Sequence, residues 1–300
     1  SQAVTKETAV LMLSDMHADQ LILPQRVQDL ENFNFDVACH RGDRLVKSVI
    51  KLLTDNLNGY RFDKLVIFIM GDLTTGDIHG GREHTHWGNS IKNSLGIGEL
   101  IAQMINELSE HFEIDVIAVS GNHGRRSKKK DYRGPHDNWD FLISRFAQAR
   151  CQSLIESKRV TFNIPDSFTA CATVRGWNFV VNHGDDIRGV QGIPWYGMER
   201  RTRRLTAIGA LTGVSPNYFL YGHFHTHTSQ QHTTGEILVN GSWPATDEYA
   251  LEALGATSEP SQWLFGVHEH YGITWRFPIH LRVKNWREVE RAAPRYSITV

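Results

Sequence analysis

The sequence predicts an α/β fold with two sheets. In its first half, short apolar runs rich in β-branched residues alternate with helical patterns, as in a sheet covered by helices. In its second half, strand-like segments follow one another with turns between them, and only one pattern is strongly helical. The chain has 300 residues, 40% of them hydrophobic, which is ample for a buried core. We expect one domain over residues 1–300, because the candidate functional motifs span residues 15–225.

Three predicted strands of the first half each stop just before polar residues. They are Ala9–Leu13, Leu65–Met70 and Ile114–Val119. Their apolar residues are continuous rather than alternating, which is typical of strands buried on both faces. The helical patterns that follow them are Asp43–Leu57, Leu95–Phe112 and Trp139–Ile155. Ligands of such sheets collect at the carboxyl ends of the strands, so a site is expected there.

The second half predicts a further, antiparallel or mixed sheet. Its strands are Trp177–Asn182, Tyr218–Tyr221, Glu236–Asn240 and Trp263–His268, and its helix is Tyr196–Leu211. Three loop insertions are predicted near residues 19–44, 74–93 and 124–138. Polar loops of this length often shape a substrate site.

Five short motifs carry side chains that bind metals. They are Asp15-Met16-His17, Gly71-Asp72, Gly121-Asn122-His123, His183 and Gly222-His223-Phe224-His225. Imidazole nitrogens with carboxylate or carboxamide oxygens suit first-row divalent metals, and the lack of thiolates favours a catalytic site over a structural one. In Asp15-x-His17 and His223-x-His225, residues two apart on an extended segment would point to the same side.

Each motif by itself has a simpler interpretation. A single histidine such as His183 is more often a hydrogen-bonded structural residue. Asp15 and Asp72 also suit a turn or a helix N-cap. The presence of all five motifs in one chain favours a common dinuclear site.

In order and character, these motifs resemble those of the calcineurin-like metallophosphoesterase superfamily: D-x-H, GD, GNH, a lone His and GH-x-H. The resemblance covers roughly Val10 to His225, and the last 75 residues carry no motif that we can place. It implies a two-sheet β-sandwich flanked by helices, in four layers ordered α, β, β, α.

The resemblance also implies a role for each residue. Asp15, His17 and His225 would hold one metal ion, and Asn122, His183 and His223 the other. Asp72 would bridge the two ions, and His123 would act as the general acid. Two divalent metals would share a hydroxide that attacks phosphorus in line. Manganese is the expected metal, with iron, nickel or zinc as alternatives.

Basic residues beside the motifs predict a polyanionic substrate. The first cluster follows His123 and comprises Arg125, Arg126, Lys128, Lys129, Lys130 and Arg133, with Tyr132 and Trp139 as candidate stacking residues. The second comprises Arg200, Arg201, Arg203 and Arg204. Because the net charge is only -1, these local clusters would have to supply any affinity for nucleic acid. Ordinary solvated surface, with the arginines paired to carboxylates, is the competing interpretation.

The leading hypothesis is therefore a nucleic-acid phosphodiesterase or nuclease. A phosphomonoesterase acting on nucleotides or phosphoproteins is the alternative. A non-catalytic protein that binds nucleic acid or another partner ranks third, since no expected ligand position is lost. The motifs depart from protein Ser/Thr phosphatases, which show GD-x-x-DRG and GNHE, because Leu73-Thr74-Thr75-Gly76 follows Asp72 and Gly124 follows His123. Thr75 also stands where nucleases resembling the double-strand-break repair enzyme often have histidine.

Several other polar residues near the motifs allow two interpretations. The histidines His79, His84, His86 and His227 are either extra ligands and substrate contacts or solvated loop residues. The pair Asp185-Asp186 would either orient a ligand imidazole or form an exposed turn.

Cysteine usage and hydropathy indicate a cytoplasmic protein without a membrane segment. Cys39, Cys151 and Cys171 are widely spaced and include no C-x-x-C pair, which argues against a disulfide framework. The longest clear apolar run, Leu65–Met70, is far short of the ~20 residues that span a bilayer. The sequence makes no prediction of the oligomeric state.

Overall fold

The computed structural model describes residues 4–79, 81–129, 134–187, 192–233 and 235–300. The strands are β1 (Thr5–Leu13), β2 (Tyr60–Ile69), β3 (Glu113–Ala118), β4 (Val160–Asn163), β5 (Thr169–Val174), β6 (Trp177–Asn182), β7 (Tyr218–Tyr221), β8 (Thr228–His232), β9 (Gly235–Val239), β10 (Ser261–His268) and β11 (Gly272–His280). The helices are α1 (Phe35–Lys51), α2 (Ser90–Ser109), α3 (Trp139–Arg150), α4 (Gln152–Glu156), α5 (Trp195–Thr212), α6 (Glu248–Leu254) and α7 (Trp286–Val289). Pro24–Arg26 and Arg82–His84 form short 3-10 helices, and Leu52–Asn56 extends α1 as a π-helix.

The first sheet contains six strands in the order β11-β10-β1-β2-β3-β4. Strands β1 to β4 are parallel, whereas β10 is antiparallel to β1 and β11 is antiparallel to β10. In the centre of this sheet, Leu11 lies between Ile67 of β2 and Leu264 of β10. The parallel part corresponds to the predicted alternation of strands and helices.

The second sheet contains five strands in the order β5-β6-β7-β9-β8. Its three inner strands are parallel, and the two edge strands are antiparallel to their neighbours. The predicted mixed sheet is therefore present.

Three apolar layers hold the two sheets and the helices together. Helices α1, α2 and α3 cover the outer face of the first sheet through residues such as Leu45, Leu100 and Ile143. The two sheets pack face to face through residues such as Phe68 and Phe179, and Met198 of α5 packs on the outer face of the second sheet. The result is the predicted α/β fold, a two-sheet β-sandwich flanked by helices in four layers.

The strand predicted at Trp263–His268 belongs to the first sheet rather than the second. As β10 it pairs with β1, joining Val10 to Phe265. Its residues are almost all buried, because the second sheet covers one face and the helices cover the other. The apolar run predicted a buried strand correctly, but nothing local in it specifies which sheet it joins.

Two of the predicted loop insertions are shorter than expected. Helix α1 begins at Phe35, inside the predicted insertion 19–44, because the side chain of Asn34 accepts a hydrogen bond from the backbone of Val37. Helix α2 likewise begins at Ser90, where the Asn89 side chain caps the first turn. Residues 124–138 lack helix and strand wherever they are described.

Two further findings concern the cysteines and the hydropathy of the helices. Cys39, Cys151 and Cys171 are all free thiols. Within the described ranges, every helix is too short or too polar to cross a bilayer.

Candidate metal centre

All five motifs follow strands and meet at one edge of the sandwich. Asp15, Asp72 and Asn122 come shortly after β1, β2 and β3, while His183 and His223 come directly after β6 and β7. Because β1, β2 and β3 are parallel to one another, and β6 is parallel to β7, the carboxyl ends within each sheet lie side by side. The site forms where these two rows of strand ends face each other.

Three groups of side chains place their ligand atoms within 4.8 Å of one another. They are Asp15 with His17 and His225, Asp72 with His183 and His223, and His17 with Asp72 and His123. The first group is the predicted ligand set of one metal ion. The second combines the predicted bridging carboxylate with two predicted ligands of the other ion. Their roles as ligands stay a prediction, but the chain brings them together.

One cluster of buried atoms has the composition and spacing to hold a cation between its members. The Nδ1 of His183 lies 2.8 Å from the Met70 carbonyl, which can only accept a proton, so that nitrogen is the donor. The opposite nitrogen, Nε2, faces Asp72 Oδ2 at 2.8 Å and Asn122 Oδ1 at 3.0 Å. Despite the short distance, Asp72 Oδ2 accepts no hydrogen bond of acceptable geometry from any residue that the structure describes. The imidazole nitrogen, the carboxylate oxygen and the carboxamide oxygen are together a donor set that suits a shared metal ion.

The second cluster surrounds the buried carboxylate of Asp15. Its Oδ1 lies 3.3 Å from His225 Nε2, which in turn lies 3.3 Å from His17 Nε2. Asp15 also accepts hydrogen bonds from the Ser14 hydroxyl and from the backbone N–H of His223. These contacts fix the carboxylate while its histidine neighbours present ring nitrogens to the same space.

Charge interactions set the protonation of the site. Burial alone would lower the pKa of His183, but the Asp72 carboxylate outweighs it and raises that pKa to about 10. Burial raises the pKa of Asp72, yet the neighbouring histidines, first His183, bring it well below the ordinary value. Burial lowers the pKa of His223 to about 4 and that of His17 well below its usual range, so both rings are neutral at pH 7. The neutral imidazoles of His223 and His17 beside the ionised carboxylate of Asp72 are suitable donors for divalent cations, and His183 would release a proton on binding one.

Five predicted ligands adopt a left-handed backbone. The φ angles are 50° for Asp15, 40° for His17, 51° for Asp72, 69° for His223 and 55° for His225. The sequence pattern predicted extended backbone for the D-x-H and GH-x-H pairs, and this prediction is wrong. Each pair nevertheless contributes both of its side chains to the site, because the left-handed turns aim them there.

His123, the predicted general acid, lies at the mouth of the cluster. Its backbone N–H donates to Asp72 Oδ1, and its Nδ1 donates to the Thr75 carbonyl at 3.0 Å. Its ring packs edge-on against His17, with centroids 4.7 Å apart. The remaining ring nitrogen, Nε2, is therefore the atom that can exchange a proton with a substrate.

Two supporting carboxylates were missed by the sequence analysis. Asp140, at the start of α3, accepts hydrogen bonds from the backbone N–H groups of Asp72, Leu73 and Gly121 at 2.8, 3.0 and 2.9 Å. Asp19 accepts from the Thr75 backbone and from the Thr74 hydroxyl. Both carboxylates hold the motif loops of different strands together. The only sequence signal for Asp140 is its place in the first turn of a predicted helix, which does not indicate this role.

The first basic cluster borders the site but is only partly described. Arg126 forms an ion pair with Asp137 at 2.7 Å, and both side chains are largely exposed. Lys128 and Lys129 are exposed, whereas Arg125 is partly buried. The predicted substrate contacts Lys130 and Arg133, and the stacking candidate Tyr132, lie outside the described residues. The candidate Trp139 begins α3.

The second basic cluster lies on α5 and is partly neutralised. Arg201 forms an ion pair with Asp186, and Arg203 pairs with Glu199 one turn earlier. Asp186 is therefore a charge partner of α5 rather than an isolated turn residue. Arg200 and Arg204 line a cavity together with this Arg201–Asp186 pair.

The additional histidines separate into different environments. His79 packs against the ring of His123 with centroids 4.7 Å apart, so it adjoins the site. His86 packs on Trp87 and Phe35, and His84 lies 3.8 Å from an exposed Glu83 carboxylate. The Nδ1 of His227 lies 2.6 Å from the hydroxyl of Ser261. Of these four residues, only His79 is in contact with the candidate site.

Comparison with solved structures finds similar folds at low sequence identity. Vps29 from Entamoeba histolytica complexed with zinc is 12% identical, with a TM-score of 0.40 over 91% of this chain and 100% of the other. An archaeal phosphodiesterase is 11% identical, with a TM-score of 0.38 over 90% of this chain and 99% of the other. Yfce, a phosphoesterase from E. coli, is 15% identical, with a TM-score of 0.35 over 91% and 100%. No protein-family model and no curated protein matches the sequence.

The chain's own architecture agrees with the fold that its motifs implied. Two sheets lie between helical layers, and the five motifs follow β1, β2, β3, β6 and β7 in that order. Four layers and this order of motifs are what the resemblance of the sequence to the calcineurin-like metallophosphoesterase superfamily implied for the fold.

Proposed function

We propose that this chain is a metal-dependent phosphoester hydrolase. The proposal rests on the buried cluster in which Asp72 Oδ2, Asn122 Oδ1 and His183 Nε2 face one another without a satisfactory hydrogen bond to Oδ2. Asp15 and its histidine neighbours lie beside this cluster. Two divalent metals bound there would polarise the phosphoryl oxygens and activate a water molecule for in-line attack.

The chain's own residues orient the substrate and move the proton. His123 keeps its Nδ1 proton on the Thr75 carbonyl, so the proton that passes to the departing oxygen is one carried by Nε2 when the ring is an imidazolium, which then becomes neutral. Its backbone N–H on Asp72 Oδ1 fixes its distance from the ligands. His79 and His17 pack against its ring and restrict its orientation. The reaction class is therefore phosphoryl transfer to water with acid assistance to the leaving group.

We infer further that the substrate is a nucleic acid and the reaction a phosphodiester cleavage. Exposed Lys128 and Lys129 follow His123 closely along the chain, where they would contact the phosphates of a bound strand. A phosphomonoesterase would need to recognise only one phosphate. Manganese is the metal proposed, and iron, nickel and zinc suit the same nitrogen and oxygen donors.

A panel of substrates tests both the phosphoester hydrolysis and the choice of nucleic acid as substrate. The purified protein would be stripped of metal, reloaded with manganese, and assayed on bis-aryl phosphate, aryl phosphate, DNA and RNA. We expect cleavage of bis-aryl phosphate and of at least one nucleic acid, and loss of both activities after chelation. Activity on aryl phosphate alone would instead identify a phosphomonoesterase. Bound metal without any hydrolysis would favour the non-catalytic binder.

Matched variants then test the assigned residues. His123→Asn is expected to lower kcat by about 10²- to 10⁴-fold, as is typical for the loss of a general acid. His84→Asn, on an exposed histidine beside Glu83, is its control. Asp72→Asn is expected to remove bound metal, and Asp63→Asn, on a largely exposed surface carboxylate, is the corresponding control. Full activity of both site variants would refute the assignment.

A further inference from the structure

A cavity separate from the metal cluster lies between α5 and the loop that follows His183. Its volume is about 440 Å³. It is lined by Asp186 and Ile187 of that loop and by Arg200, Arg201, Arg204 and Leu205 of α5. The two aliphatic side chains form an apolar wall, and the three guanidinium groups, the Asp186 carboxylate and Gly197 form the rest. Such a combination suits a ligand that has both an anionic and an apolar part.

The cavity carries an excess of positive charge. Arg201 is already paired with Asp186, which neutralises one guanidinium. Arg200 and Arg204 are exposed, and within the described ranges neither forms an ion pair. They are four residues apart, so they project from the same face of α5. Guanidinium groups bind phosphate through two parallel hydrogen bonds, and here two of them are available at one cavity.

The cavity lies close to the metal cluster along the chain. Asp186 follows the predicted ligand His183 by three residues, and Cα atoms that far apart lie at most ~11 Å from each other. The loop between them is folded further by a hydrogen bond from the Ile187 N–H to the Gly184 carbonyl at 3.0 Å. A strand of DNA carries a phosphate about every 3.4 Å of its axis. The cavity therefore lies within a few nucleotides' reach of a strand bound at the metals.

Exposed aromatic surface adjoins the same face of α5. Tyr196 is 78% exposed and lies one turn before Arg200, on the arginine side of the helix. Exposed tyrosine beside arginine is typical of surfaces on which unpaired bases stack. This arrangement favours a single strand over an isolated phosphate group.

We propose that this cavity binds a non-scissile phosphate of a single-stranded nucleic acid whose scissile phosphate lies at the metal cluster. The position of the cleaved bond in the substrate rests on the proposed function, but binding of the strand does not require catalysis. Arg200 and Arg204 provide the phosphate contacts. Arg201 shapes the wall through its ion pair with Asp186.

The test compares two variants of the metal-loaded chain of 300 residues. Arg200→Ala/Arg204→Ala removes the two unpaired guanidiniums, and Arg203→Ala, on an exposed arginine of the same helix that does not line the cavity, is the control. Binding of a fluorescent single-stranded oligonucleotide with hydrolysis-resistant phosphorothioate linkages is measured by anisotropy at several salt concentrations. We expect the double variant to bind about tenfold more weakly than the control. The slope of log K against log salt should fall by about 0.7 for each lost phosphate contact.

Kinetics separate this proposal from the proposed function. In the double variant, KM for an oligonucleotide should rise while kcat/KM for bis-aryl phosphate stays at the control value. Equal oligonucleotide affinity and equal salt slopes in the two variants would overturn the cavity assignment. Inorganic phosphate is also titrated against each protein. If it saturated the cavity at concentrations far below those that displace the oligonucleotide, the cavity would be a free-phosphate site, and this result would also overturn the cavity assignment. Loss of hydrolysis in all proteins with the binding difference intact would refute only the proposed function.

Discussion

Replacing Gly121 with alanine should displace the Asp72 carboxylate. A Cβ atom at Gly121 would lie 2.3 Å from Asp72 Oδ1 and 2.4 Å from the Asp72 backbone nitrogen. Ordinary van der Waals contact begins at 3.4 Å. The φ angle of Gly121 is outside the left-handed region, so alanine meets no conformational penalty there. The substitution therefore isolates the effect of close approach between the loops after β2 and β3.

The short distances from the added Cβ atom to Asp72 set the size of the expected loss of activity and stability. Relief of these contacts requires Asp72 to move by about 1 Å, the difference between the built and the ordinary distances. A misplacement of ~1 Å in catalytic machinery typically lowers activity by about 10²-fold. The same overpacking should cost about 1–3 kcal/mol of unfolding free energy. Metal affinity should fall as well, because Oδ2 of Asp72 moves together with Oδ1.

The assay uses metal titration calorimetry and urea unfolding, which do not depend on the identity of the substrate. Gly59→Ala is the matched control, because a Cβ atom there meets nothing within 4 Å. For Gly121→Ala we expect weaker manganese binding and a lower free energy of unfolding. For Gly59→Ala we expect neither change. If Gly121→Ala bound manganese as tightly as the control, the contact between the two loops would not be what positions Asp72.

Three further predictions concern stability and proton linkage. Two hydrogen bonds of 2.9 and 3.0 Å join the Arg41 guanidinium to the buried carboxylate of Glu31, and Arg41→Met removes both. Urea unfolding should show that the free energy of unfolding falls by about 3–5 kcal/mol. A fall below 1 kcal/mol would contradict this prediction. Asp140→Asn turns an amide N–H toward a backbone donor, which should cost about 2 kcal/mol in the same assay, whereas an unchanged midpoint would refute it. In the metal-free protein, the raised pKa of His183, about 10, keeps this ring protonated at pH 7, so metal must displace that proton. Manganese affinity should therefore rise about tenfold per pH unit between pH 7 and 9, and a flat profile would exclude the linkage.

The strands that carry the site could be predicted because burial on both faces leaves a continuous apolar run. The predicted end of β1 at Leu13 is confirmed, although its first residues, from Thr5, are polar and gave no signal. The edge strand β8, Thr228–His232, is half exposed and lacks apolar residues, so no local pattern marks it. The pairing of β10 with β1 could not be predicted either, because it joins residues far apart in the chain, such as Val10 and Phe265.

The contacts that support the site could not be predicted either, because they also join residues far apart in the chain. Asp140 binds the backbone of Asp72 across 68 positions, and Asp19 binds Thr75 across 56. A single aspartate has many local uses, and spacing does not distinguish this one from a helix-capping residue. Metal-binding motifs are recognisable in a sequence because their chemistry is unusual, whereas the carboxylates that position them are not.

Hydrogen bonds between loops stabilise the left-handed backbone of the predicted ligands. Five predicted ligands have φ between 40° and 69°, and each such residue costs on the order of 1–3 kcal/mol unless its surroundings compensate. The compensation comes from hydrogen bonds between loops: the Asp15 N–H donates to Gly71, the His17 N–H to Asp72, and the His223 N–H to the Asp15 carboxylate. The spacing within D-x-H and GH-x-H thus reflects paired left-handed turns that are stabilised by neighbouring strands. Because these hydrogen bonds position the loops that carry the ligand atoms, they reduce the ordering cost that binding of a cation would have to offset.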